Sequence, residues 1–113
     1  MATPSDPRLI DTARLEAVLA EFARARDWDQ YHTPRNLLLA LTGEVGELAE
    51  IFQWQTDAQA EAIMSTGKAE HVRQEVADVF LYLMRLAMVL GIDLDTAVRD
   101  KIALNAQKYP PLR

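Results

Sequence analysis

The chain has 113 residues, half of them apolar, with four glycines, five prolines and no cysteine. That length supplies one domain with a modest core and leaves no room for a second, while the missing thiols exclude a disulfide framework, a thiolate metal site and a cysteine nucleophile. Seventeen acidic against twelve basic residues leave a formal net charge of −5, which opposes general binding to nucleic acid but not a small phosphorylated ligand held through cations in one cleft.

The opening stretch, Met1-Ala2-Thr3-Pro4-Ser5-Asp6-Pro7, has neither the basic region nor the apolar run of a secretory leader. No later stretch approaches the roughly 18 apolar residues of a membrane span. The expectation is a cytoplasmic protein with no membrane partner, a single domain over 1–113, and flexible ends at 1–8 and 111–113. Apolar residues recur at three- and four-residue intervals without sustained alternation, so the fold class is all-α. The first main helix is predicted over about Thr12 to Arg26, with Leu15, Val18, Leu19 and Phe22 as its apolar stripe. Asp27 to His32 is a polar and aromatic link. Thr33 as N-cap and Pro34 at the first helical position start the second main helix, which continues to about Gln53. A short helix is predicted over Asp57 to Met64, with Ser65-Thr66-Gly67 as a break. The third main helix covers about Ala69 to Leu90 and stops at Gly91. Asp93 or Asp95 opens the fourth, which ends near Lys108, before Pro110-Pro111.

The second and third main helices are apolar on more than one face: Leu37 to Leu41 and Val79 to Met84 each wrap most of a turn or more. Four helices cannot easily cover both. The pattern predicts a four-helix bundle with these two helices central, partly buried by another subunit in a symmetric helical oligomer.

The same two helices carry the acidic residues Glu44-Val45-Gly46-Glu47 and Glu75-Val76-Ala77-Asp78. A three-residue step turns a helix by about 300°, so each pair lies about 60° apart, on one face. Bringing the two faces together would set four like charges in one cleft, and a divalent cation would relieve their repulsion. An all-oxygen donor set suits Mg²⁺, with Mn²⁺ able to substitute. The competing reading is four ordinary acids on solvent-facing helix surfaces. Glu50 continues the three-residue series and is read as surface.

A longer pattern surrounds these acids. The run Trp28-Asp29-Gln30-Tyr31-His32-Thr33-Pro34-Arg35-Asn36 leads through Leu37 to Leu41 into Gly43 to Glu50, and Phe52-Gln53-Trp54 follows. Glu75-x-x-Asp78, Tyr82-Leu83 and Lys101-x-x-x-Asn105-x-x-Lys108-Tyr109-Pro110 complete it. From about Leu15 to Pro110 the chain resembles the dCTP pyrophosphatases of the MazG-like superfamily. The resemblance implies an all-α, MazG-like fold that hydrolyses a nucleoside triphosphate to monophosphate and pyrophosphate with Mg²⁺, typically as a homotetramer built as a dimer of dimers. It implies Glu44, Glu47, Glu75 and Asp78 as metal ligands. It places Trp28, Asp29, Gln30, Tyr31, His32, Trp54 and Tyr82 at the nucleotide, with Lys101 and Asn105 near its sugar or phosphates. Two departures stand out. Gly43 precedes Glu44 where the wider MazG group often has paired acids, and Leu19 occupies a position where some relatives carry a nucleotide-contacting histidine.

The implied chemistry is metal-assisted attack of water on the α-phosphorus, with pyrophosphate leaving and Glu47 as candidate general base. No covalent nucleophile is required. Each aromatic has a plainer alternative in core packing, and Lys101 and Asn105, four apart on one helix face, have one in solvated surface. A di-iron bundle would also collect carboxylates, but it calls for Glu-x-x-His pairs and the chain has none. Three alternatives to dCTP hydrolysis remain: a MazG-type enzyme of broader preference, a dUTP-type enzyme, and a non-catalytic helical interaction bundle.

Overall fold

The computed structural model describes residues 8–112, which form helices and connecting turns with no strand among them. Of the expected flexible ends at 1–8 and 111–113, residues 1–7 and 113 lie outside the described residues. Helix α1 (Ala13–Ala25) follows Thr12, whose hydroxyl donates to the Glu16 carboxylate rather than capping the backbone. Its C-terminal end turns sharply at Asp27, at φ 55°, letting the Trp28 amide donate back to the Ala23 carbonyl at 2.9 Å. Helix α2 (Pro34–Phe52) begins as its sequence predicts: the Thr33 side chain accepts from the Asn36 amide, and proline holds the first position.

The segment predicted as one short helix is two pieces. Helix α3 (Asp57–Glu61) starts from a capping box between Thr56 and Gln59, and a 3₁₀ turn (Ile63–Ser65) follows. Helix α4 (Ala69–Leu90) ends at Gly91, which takes φ 71°. There the Ile92 amide donates to the Ala87 carbonyl and the Gly91 amide to Met88, a Schellman arrangement that requires the left-handed residue. Helix α5 (Leu94–Lys108) is capped by Asp93, which accepts from the Thr96 amide.

Helices α2 and α4 pack along one another and form the centre, with α1 against α4 through a smaller contact and the 3₁₀ turn beneath α4. Leu37 and Met84 are the two largest side chains fully enclosed; Ala23, Ile63, Val72 and Ala87 complete the buried apolar set. On α1 the stripe differs from expectation: Leu15 and Leu19 are half-buried, Val18 and Phe22 are exposed, and Ala23 is the buried residue. The Arg26 guanidinium lies 3.4 Å over the Phe22 ring and Trp28 meets its edge, so neighbouring side chains from the link partly cover that ring.

Asp95 is buried at the first turn of α5, where one carboxylate oxygen accepts the amides of Leu9 and Ile10 at 2.6 and 2.9 Å and the other takes Arg99 Nε. The segment before α1 is thereby tied to the start of α5. From Asp100 to Leu112 every residue is exposed. The radius of gyration is 17.4 Å, against roughly 13 Å for a compact chain of this length. Leu38, Leu39, Phe80 and Leu83 on the central pair are exposed as well. The surplus apolar surface read from α2 and α4 is thus present on the protomer. No helix among the described residues is long and apolar enough to cross a membrane.

Candidate active site

The α2–α4 pairing brings one oxygen each of Glu44, Glu75 and Asp78 within 4.8 Å of one another. Glu75 is buried and the other two are half-buried. Oε2 of Glu44 and Oε2 of Glu75 are both enclosed with no hydrogen-bond partner, a costly condition for carboxylate oxygens unless something positive meets them. Removal from water pushes the Glu44 carboxyl up to about 7, assisted by hydrogen bonds shared with Glu75 and Glu47 and by the charges of Glu47 and Asp78. His71 Nε2 lies 3.5 Å from Glu75 Oε1. Orphaned buried oxygens, an all-oxygen donor set and a carboxyl that holds its proton near neutrality are what a divalent-cation site presents when only protons relieve it. The cluster fits a divalent metal.

Glu47 lies one turn further along α2, exposed, close enough to raise Glu44 but outside the group of three converging oxygens. With Glu50, Lys68 and His71 it lines a separate open cavity of about 580 Å³. Trp54 is 88% exposed and faces a neighbouring cavity of about 610 Å³, which Gln55 and Lys68 also line.

On the other side of the acids is an aromatic pocket of about 270 Å³ lined by Trp28, His32, Tyr82 and Asp78, with Leu19, Phe22, Ala23, Leu81 and Arg85. Three of the side chains singled out as nucleotide contacts therefore meet beside one member of the acidic cluster. The remainder of the link does not line the pocket: Gln30 donates to the carbonyl and carboxylate of Asp27, Tyr31 is exposed, and Asp29 reaches it only through its pair with Arg85. Lys101 and Asn105 are exposed on α5 and line neither this pocket nor the two open cavities. Arg85 is the residue that sequence reading passed over. Its signal was available, because it is the sole charged residue between Asp78 and Asp93 in an otherwise apolar stretch.

Residues 40–112, which hold both acid pairs, all of α4 and α2 from Ala40 onward, match the model of the MazG-like family. The chain belongs to that family. This MazG-like chain is 48% identical over 106 residues to dCTP pyrophosphatase 1 of Homo sapiens and 50% identical over 107 residues to that of Rattus norvegicus. Each match takes in 93% of the chain but 61% of the relative, so the chain spans about three fifths of the length of these curated proteins. Among solved structures, a pyrophosphatase from Archaeoglobus fulgidus DSM 4304 superposes with a TM-score of 0.82 at 40% identity, covering 88% of this chain and 93% of the archaeal one.

Proposed function

We propose that this MazG-like protein hydrolyses a deoxynucleoside triphosphate, dCTP foremost, to the monophosphate and pyrophosphate in a Mg²⁺-dependent reaction. The observation that carries the reading is the convergence of Glu44, Glu75 and Asp78 at the edge of an aromatic pocket that shares Asp78. A base can stack in such a pocket while its triphosphate reaches the acids. The relatives named dCTP pyrophosphatase 1 support this substrate, and the archaeal pyrophosphatase supports the release of pyrophosphate.

Glu44, Glu75 and Asp78 would hold the cation, with Glu47 completing the set from the open side. A bound Mg²⁺ supplies charge neutralisation for the triphosphate and makes a water molecule more acidic. Glu47, exposed and adjacent, is assigned as the acceptor of the attacking water's proton. Trp28 and Tyr82 would wall the base and His32 would meet its edge, while Asp29, Gln30 and Tyr31, which do not line this pocket, are assigned to the nucleotide through the family resemblance alone. Trp54, which shares Lys68 as a neighbour with Glu47, is assigned to the nucleotide. Lys101 and Asn105 are assigned to its sugar or phosphates. Their helix leaves the protomer body, so this role calls for assembly, and we assign the protein a homotetrameric state as a dimer of dimers. A single domain working in the cytoplasm completes the reading.

A panel of ribo- and deoxyribonucleoside triphosphates with Mg²⁺, scored for monophosphate, pyrophosphate and orthophosphate, tests it. dCTP is expected to give the highest kcat/KM, with dCMP and pyrophosphate as products. Stepwise release of orthophosphate would refute the reaction, and preference for dUTP or a purine would refute the substrate. Absence of nucleotide binding and turnover with every divalent metal would leave an interaction bundle.

A further inference from the structure

Arg85 reaches from α4 across the aromatic pocket to the α1–α2 link and makes two directed hydrogen bonds there. Its Nε donates to Nδ1 of His32 at 3.0 Å and its Nη2 donates to Oδ1 of Asp29 at 2.8 Å. The guanidinium is well enclosed, with 13% of its side chain exposed, whereas Asp29 is largely in solvent. A guanidinium has no acceptor and does not lose its proton in proteins. Nδ1 of His32 must therefore present a lone pair, which leaves the single proton of the neutral ring on Nε2. Burial first, and then the Arg85 charge, lower the His32 pKa from its ordinary 6.5, with Asp29 opposing, in accord with a neutral ring. The Trp28 ring lies beside the imidazole, with centroids 6.0 Å apart.

We infer that Arg85 is a positioning residue that fixes His32 as the Nε2–H tautomer, making His32 a neutral hydrogen-bond donor in the pocket that selects a ligand base presenting an acceptor. The ligand half of this statement rests on the nucleotide reading above; the tautomer half does not. A free neutral imidazole exchanges its proton between the two ring nitrogens, so it can offer an acceptor as well as a donor. The fork of Arg85 removes that choice before a ligand arrives. Replacing Arg85 strands no buried charge, because Asp29, its ionic partner, sits largely in water.

Two substitutions separate positioning from bulk. In Arg85→Gln the amide nitrogen follows Cδ directly, as Nε does in arginine, so the donor to His32 is kept and the pair with Asp29 is lost. Arg85→Met keeps a similar length and loses both. Long-range ¹H–¹⁵N spectra of the metal-free protein near neutral pH report which ring nitrogen is protonated, and His32→Gln identifies the His32 signals by their disappearance. Wild type and Arg85→Gln are expected to show protonated Nε2 with bare Nδ1, and Arg85→Met a tautomer mixture. Protonated Nδ1 in wild type, or an unchanged tautomer in Arg85→Met, overturns the assignment. With dCTP and Mg²⁺, Arg85→Met is expected to raise KM about tenfold, as for loss of one well-placed hydrogen bond, with kcat within about threefold. Arg85→Gln is expected to restore most of the KM. Unchanged KM in Arg85→Met, with wild type active, overturns the donor role toward the base. If wild type does not turn over dCTP, the spectra still decide the tautomer and the functional reading is what falls.

Discussion

The acidic cluster sets a pH dependence that one substitution should erase. Glu44 is held at about 7 against its ordinary 4.5, so the folded protein binds this proton more tightly than the unfolded chain does. Below about 4.5 both states are protonated and the protein keeps its full stability. As pH rises from there, the unfolded chain ionises first and stability falls; above about 7 the loss is complete. The full difference corresponds to about 3 kcal/mol, and partial solvent access of Glu44 reduces this to about 1–2 kcal/mol. For a chain of this size that is a fall in Tm of about 4–8 °C between pH 4.5 and 8. Glu44→Gln cannot ionise and should lose this component of the slope. The assay is a thermal melt of metal-stripped wild type and variant at matched concentration across that range, since assembly makes Tm concentration-dependent. The difference between the two curves reports Glu44 together with its coupling to Glu47, Glu75 and Asp78, because groups outside the cluster are common to both. Added Mg²⁺ should flatten the wild-type curve, its stabilisation growing with pH as it competes with the proton. Parallel wild-type and variant curves would refute the idea that crowded carboxylates raise Glu44.

Glu47→Gln is expected to lower dCTP turnover by about 100-fold or more while the metal-free Tm stays at or above that of wild type; turnover at the wild-type rate would remove Glu47 from the reaction. Gly91→Ala forces a side chain into the left-handed region at φ 71° and should cost about 1 kcal/mol, read as a lower denaturation midpoint, whereas an unchanged midpoint would show that the α4 terminus frays at no cost. Light scattering at micromolar concentration is expected to give the mass of a tetramer, because the protomer exposes Leu38, Leu39, Phe80 and Leu83 on its central helices; a stable monomer would contradict it.

The helices were legible from local rules, which act over a few residues. Thr33-Pro34 starts α2 through a hydroxyl and a fixed φ, Gly91 ends α4 because it alone takes the left-handed turn cheaply, and Asp93 caps α5. The three-residue spacing of the acids likewise placed each pair on one helix face before any packing was known. Resemblance along nearly the whole chain pointed to the MazG-like family, to which the match over 40–112 assigns it. What spacing could not say is how far each helix is rotated about its axis when it meets another. That rotation turned Glu44 toward Glu75 and Asp78 and left Glu47 in the open, and it buried Ala23 in place of Phe22. The short segment after Trp54 split because capping by Thr56 and Gln59 sustains only α3 before the chain tightens into a 3₁₀ turn. Arg85 reads in sequence as a lone charge on an apolar helix; only folding sets it on His32, 53 positions away. Asp95 reads as one of two possible caps, yet it is the neighbouring Asp93 that caps, and Asp95 holds the amides of Leu9 and Ile10 from the far end of the chain. Contacts of this kind depend on helix rotation and crossing, which are decided when apolar faces choose partners.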